Sequence, residues 1–191
     1  MCLLLIASLK PMENLKIWID ILTPKQCMLF SKLSERLEEE ECKVLKTTRQ
    51  YREVIQLLRL KGVKARVVGR HGGGSLHGKL EASIQRTLKL IPLVRKWMPD
   101  LAVSFSSPEA SRVAFGLGIP HICINDSPHA EAVAKLTIPL SERLLTPMVI
   151  PKKVWMRFGI SGDRIVHYNA LDAWAWLKGF KPNEKVLEKL G

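Results

Sequence analysis

Asp100-Leu-Ala-Val-Ser-Phe-Ser-Ser-Pro-Glu-Ala-Ser-Arg-Val-Ala-Phe-Gly-Leu-Gly-Ile-Pro-His-Ile-Cys-Ile-Asn-Asp-Ser-Pro-His129 reads as strand, helix, strand. Leu101 to Phe105 is a short β-rich apolar run and Glu109 to Leu117 is helical; Gly116, Gly118 and Pro120 punctuate, and Ile122 to Ile124 is a second buried run. The polar residues make this βαβ unit more than fold information. Ser104, Ser106, Ser107 and Glu109 follow one strand; Asn125, Asp126, Ser127 and His129 follow the next. In open parallel sheets ligands bind just past the carboxyl ends of the strands, so both loops face one crevice.

The pattern repeats outward. Ile17 to Ile21 is a first strand, followed by a helix from about Gln26 to Glu40 in which Phe30, Leu33 and Leu37 keep helical spacing. Val44 to Thr47 is the second strand, Arg52 to Lys61 the second helix and Ala65 to Val68 the third strand. A long helix runs from about Leu80 to Met98 with Pro92 as an expected kink. After the central unit come a helix near Glu131 to Leu136, a strand at Leu144 and Leu145, a helix from Lys152 to Phe158 and a strand from Ile165 to Tyr168. Strands alternating with helices predict an α/β fold, a Rossmann-like, doubly wound, mostly parallel sheet.

The strand ends supply the candidate site: Asp20, Thr23, Pro24 and Lys25; Thr48 and Arg49; Gly69 and His71 with Gly72, Gly73 and Gly74; Ser104 to Glu109; Asn125 to His129; and Thr146 with Pro147. Turn chemistry alone explains roughly half of these, but not His71, Glu109 and His129. Ser106 or Ser107 with Pro108 is a helix-capping device, and Ser127 with Pro128 reads as the same device repeated. There Asp126 and His129 exceed what capping needs. An Asp beside a His orients the imidazole and raises its basicity, which gives a base for a sugar hydroxyl; the competing reading is a structural hydrogen-bond network. The glycine triplet ahead of Ser75 is either a phosphate cradle or a surface loop. The turn after the first strand has no glycine, which argues against dinucleotide binding. No cofactor is implied, and the cysteines (Cys2, Cys27, Cys42, Cys123) lack metal-ligand spacing.

At 191 residues and 47% hydrophobic, the chain can bury a full core. No apolar run reaches the roughly 18 residues of a membrane span. The apolar start, Met1 to Leu9, lacks a signal peptide's basic region and cleavage site, so residues 1–11 are expected to lie upstream of the natural start. Charge is uneven. Residues 49–98 hold twelve Lys or Arg against Glu53 and Glu81, ten of the chain's net +12. Such a field recruits anionic partners. With only Tyr51 and Trp97 interleaved, stacking on single-stranded nucleic acid is poorly supported. From Leu76 to Trp97, apolar Leu80, Ile84, Leu88 and Ile91 alternate with basic Arg86, Lys89, Arg95 and Lys96, which suits a membrane surface; the favoured reading is an ordinary helix with its apolar face in the core.

The segments Lys16–Gln26, Gly69–Gly73, Ser104–Pro120 and Asn125–Glu131 resemble the mainly archaeal domain of unknown function 354, across about residues 15–191. That family is itself similar to the GT-B glycosyltransferases and nucleotide-sugar 2-epimerases. The resemblance implies two Rossmann-like domains across a cleft, the first holding the acceptor and the second the nucleotide-sugar, with no defined reaction attached. Family members are close to twice this length, and Ala170 stands where an interdomain glycine is expected. The expected organisation is therefore an extension at 1–14, a GT-B N-terminal domain at 15–172, and a linker helix of a missing second domain at 173–191, its uncovered Trp174, Trp176 and Phe180 prone to self-association.

The expected function is the acceptor-binding half of a glycosyltransferase-like or nucleotide-sugar-processing protein, inactive alone and cytoplasmic. Its partners would be a sugar or a phosphorylated, lipid-linked acceptor and a second chain supplying the nucleotide-sugar domain. His129 or His71 is the candidate base, Asp126 its orienter; Asp20, Thr23, Gly72 to Gly74, Ser106, Ser107, Glu109, Asn125 and Ser127 are candidate ligand contacts. The alternative is a non-catalytic basic module for a membrane surface, an RNA or a partner chain.

Overall fold

The computed structural model describes residues 14–178, 180, 181, 183, 185 and 186. Seven strands form one sheet, every pairing parallel: β1 (Lys16–Ile21), β2 (Lys43–Gln50), β3 (Arg66–Arg70), β4 (Leu101–Ser104), β5 (His121–Ile124), β6 (Arg143–Pro147) and β7 (Ile165–Tyr168). Their spatial order is β3-β2-β1-β4-β5-β6-β7. The chain winds outward from β1 to β3, then returns to the far side of β1. The break between β1 and β4 is the topological switch point of a doubly wound sheet, where a crevice opens at the carboxyl ends.

Seven helices cover the two faces among the described residues: α1 (Pro24–Glu39), α2 (Arg52–Leu60), α3 (Leu76–Trp97), α4 (Pro108–Gly116), α5 (Glu131–Thr137), α6 (Lys152–Met156) and α7 (Trp174–Leu177). Strand side chains alternate between faces. In β1 this sends Ile17, Ile19 and Ile21 into the core built with Phe30 and Leu37 of α1 and Val54 and Leu58 of α2. Trp18 goes the other way, against Leu90 and Val94 of α3 and Val113 and Ala114 of α4. Asp20, two residues beyond Trp18, shares that second face and is completely buried.

The expected strands and helices are present with shifted ends. β2 runs three residues past Thr47, and α3 begins at Leu76, four residues early, because Ser75 caps it by accepting from the Gly78 N–H at 3.0 Å. Pro92 lies inside α3, which continues to Trp97. Two expectations are corrected. The core face of α3 is Ala82, Arg86, Leu90 and Val94, while Leu80, Ile84 and Leu88 are 62%, 54% and 64% exposed. And Ser127 does not cap α5, which starts at Glu131 after Ala130. Asn125 instead accepts the Ser127 N–H at 2.7 Å and closes a turn that delays the helix. Residues 1–11 and 187–191, on which expectations were also placed, lie outside the described residues.

Candidate functional site

The cleft at the switch point encloses about 850 Å³ between the loops after β1, β2, β3, β4 and β5. Its floor is an ion network. Register places Asp20 beside Thr47 of β2 and Ser104 of β4. Arg86, from the second turn-pair of α3, reaches Asp20 through Nη2 at 2.6 Å and Nη1 at 3.0 Å, and Nη1 also meets Glu109 at 3.3 Å. Its Nε donates to the Val68 carbonyl at 2.9 Å. Ser107 and Thr47 hydroxyls donate to the Asp20 carboxylate at 2.7 and 2.6 Å, and the Trp18 indole N–H donates to Thr47 at 2.8 Å. Burial pushes the Asp20 carboxyl up, but Arg86 and the hydroxyls prevail and hold it below the ordinary carboxylate range.

Arg49 stands beside this floor. Its Nε is buried and has no hydrogen-bond partner among the described residues. Burial lowers its pKa, Glu109 and Asp20 act to raise it, and Arg86 lowers it further. Exposed Arg70 and Lys79 complete the same side of the cleft. Asp20 and Glu109 can balance Arg86 and Arg49, which leaves Arg70 and Lys79 in excess.

The opposite lip is a knot around Lys25. Its ammonium bonds to Asp126, meets Asp172 at 2.6 Å and lies 4.3 Å from the centre of the Phe105 ring. Burial opposes the charge on Lys25, yet the two carboxylates raise its pKa. Asp126 is pushed up by burial and pulled down, further, by Lys25 and the Ser127 hydroxyl. Tyr168 donates to Asp172. The knot ties the first turn of α1 to the loop after β5 and to the segment beyond β7.

The cleft gathers Thr23, Gly72, Ser106, Glu109, Asn125 and Ser127 of the expected ligand contacts, together with the candidate base His71 and the expected orienter Asp126. Asp20 and Ser107 lie beneath it. Ser106 adopts a left-handed backbone, φ 52°, and its hydroxyl donates to the Ile124 carbonyl at 3.1 Å. A serine held there marks a loop whose surroundings dictate its shape. Gly72 is required for a close approach: a Cβ there would lie 2.5 Å from the Gly78 carbonyl oxygen. Gly73 has φ +75° and sends its N–H to His71 Nδ1 at 3.1 Å. Gly74 has open space around it.

His71 stacks on Tyr51 with ring centres 5.0 Å apart. Burial lowers its pKa, and Arg49 and Lys79 lower it further. Because Nδ1 accepts from Gly73, the neutral ring presents Nε2–H as a donor. His129 is exposed on the turn before α5, outside the cleft lining. Asp126 bonds to Lys25 and Ser127 rather than to His129, so the expected orienting pair is replaced by an ion pair. Among the described residues no group of three or more His, Cys, Asp or Glu could hold a metal ion.

Residues 15–191 match the family described as "Protein of unknown function (DUF354)". The chain belongs to the DUF354 family. The uncharacterized protein MJ0665 of Methanocaldococcus jannaschii is 31% identical over 185 residues, a match covering 94% of this chain and 53% of that protein. Among solved structures, the UDP-GlcNAc 2-epimerase of M. jannaschii superposes with a TM-score of 0.70 at 19% identity, covering 92% of this chain and 52% of that one. The UDP-GlcNAc 2-epimerase of Neisseria meningitidis, bound to UDP-GlcNAc, gives 0.68 at 18%, covering 92% and 50%. Acinetobacter baumannii MurG gives 0.58 at 13%, covering 72% and 43%. These likenesses establish a Rossmann-like fold of the kind found in GT-B and epimerase domains. This DUF354 chain spans about half the length of the relatives it matches.

Four groups of the DUF354 site are not marked as site residues by the sequence: Arg86, Thr47, Asp172 and Tyr168. Arg86 carried a legible signal. It occupies the i+4 register of Ala82, Leu90 and Val94, so a core stripe contains one arginine, and a buried strand contains one aspartate to receive it.

Proposed function

We propose that this chain is the acceptor-binding half of a glycosyltransferase-like or nucleotide-sugar-processing protein, with a phosphorylated acceptor seated in the switch-point cleft. The observation that carries this reading is Arg49, a half-buried side chain whose buried Nε lacks a partner among the described residues, next to two further cations, Arg70 and Lys79. A buried charged donor without a partner is costly, and an anionic ligand oxygen removes that cost. Across the cleft Asn125, Ser106 and the ionised Asp126 supply acceptors and a donor for hydroxyl groups. His71 Nε2–H faces the same ligand as a donor. Asp126, its pKa depressed by Lys25, serves better as a hydroxyl acceptor than as a base.

The likeness to proteins described as UDP-GlcNAc 2-epimerases, one of them bound to UDP-GlcNAc, supports a nucleotide-sugar as the other reactant, supplied by a second domain or chain. In that arrangement residues 15–172 form the acceptor domain and residues 173–191 the connection.

Isothermal titration with pyrophosphate and with a hexose 1-phosphate tests the reading. Saturable binding to the wild type, weakened at least about tenfold by Arg49→Gln while the melting temperature holds, is expected for one lost charge-assisted hydrogen bond. Absence of binding, or binding indifferent to Arg49→Gln, would overturn it.

A further inference from the structure

We infer that the exposed face of α3 is a docking surface for an anionic lipid bilayer. Leu76, Leu80, Ile84 and Leu88 follow one another at four-residue spacing over about 18 Å of helix. They are 85%, 62%, 54% and 64% exposed. A monomer in water gains nothing from such a stripe, since the opposite face of the helix, through Ala82, Leu90 and Val94, already supplies its core contacts.

Charge identifies the occupant. With Arg49 and Arg86 turned inward, residues 49–98 still present ten exposed cations, among them Arg66 and Arg70 of β3 and Lys79, Lys89, Arg95 and Lys96 of α3, against exposed Glu53 and Glu81. A second copy of this chain would bring the same cations face to face. An anionic bilayer offers both things the surface lacks, acyl chains for the leucine stripe and headgroup charge for the lysines and arginines around it. Among the described residues no helix is long and apolar enough to cross a membrane, so the attachment is peripheral. The stripe begins at the cleft: Leu76 and Leu80 line its mouth opposite Val133 and Leu136 of α5. Docking on α3 therefore sets the cleft at the bilayer surface. The inference stands on the stripe and its charges and does not depend on the identity of the cleft's ligand.

Co-sedimentation with vesicles of phosphatidylcholine containing increasing phosphatidylglycerol tests it, with Leu80→Glu/Ile84→Glu and Lys79→Gln/Lys89→Gln as variants. Both pairs are exposed, and circular dichroism and thermal melting verify their folding. The expected result is binding that rises with phosphatidylglycerol content. The glutamate pair should reduce partitioning by at least about tenfold, and the glutamine pair should weaken it several-fold with a shallower salt dependence. The inference is overturned by no binding at any phosphatidylglycerol content, or by binding that survives Leu80→Glu/Ile84→Glu. It is also overturned by a wild-type dimer that the glutamate pair dissociates without any vesicle binding, which would make the stripe a self-interface.

Discussion

Asp20 and Arg86 lie 66 residues apart in the chain and meet through two hydrogen bonds, of 2.6 and 3.0 Å, with neither side chain more than 1% exposed. The pair joins the central strand to the helix of the return crossover. It is also surrounded by enough donors that neither charge is stranded.

Removing one partner of such a pair leaves a buried charge behind. Arg86→Met is expected to cost about 3–5 kcal/mol in urea denaturation. Adding Asp20→Asn to that variant should restore part of the loss, since the fully buried Asp20 anion is then gone and Glu109 alone is left without Arg86. An Arg86→Met protein as stable as the wild type would show that the network carries no weight in the fold.

His121 gives the fold a pH limit. It is buried between the Ser104 hydroxyl at Nε2 and the Ser141 hydroxyl at Nδ1, both at 2.9 Å, and burial pulls its pKa from 6.5 down to about 4. The unfolded chain therefore binds the extra proton first. Stability is full above pH 6.5 and falls as pH drops from 6.5 toward 4, by about 3 kcal/mol across the window. In His121→Gln the slope of unfolding free energy between pH 6.5 and 4 should flatten; an unchanged slope would assign the acid sensitivity elsewhere.

The glycine triplet separates into unequal positions. Gly72→Ala would place its Cβ 2.5 Å from the Gly78 carbonyl and 2.6 Å from the Lys79 Cα, backbone atoms that cannot swing aside. A loss of about 1–3 kcal/mol is expected, read as a drop of several degrees in melting temperature. Gly74→Ala meets nothing and should stay within about 0.5 kcal/mol. Equal effects at the two positions would contradict the packing of this loop against α3.

Lys25 sets the ionisation of Asp126. Lys25→Met removes the principal force that pulls the Asp126 carboxyl down, leaving burial, which acts upward. Carboxyl carbon chemical shifts should therefore report a raised Asp126 pKa in the variant, and no movement would exclude the ion pair in solution.

Most of the architecture was legible because the central strands β1, β4 and β5 are short, largely apolar and followed by turn chemistry, and the helices between strands keep an apolar period. The cleft was legible for the same reason, since Ser106, Asn125 and Asp126 had to fall beyond strand ends. What escaped depended on partners distant in the chain. Helical spacing marks two stripes on α3, and sequence alone favoured burying Leu80, Ile84 and Leu88; the sheet instead took the stripe holding Arg86, because Asp20 required it. Asp126 was read with its near neighbour His129, three residues away, whereas its partner is Lys25, 101 residues earlier.

The all-parallel order has a consequence for how the chain comes together. Ile17 pairs with Val44 on one flank and Leu101 on the other, so β1 gains its second neighbour only after α2, β3 and α3 have been made. At roughly 5–20 residues per second of synthesis, that wait is on the order of several seconds. Arg86 is made before Leu101, so the partner of Asp20 is already in the chain before the strand that closes the second flank of β1.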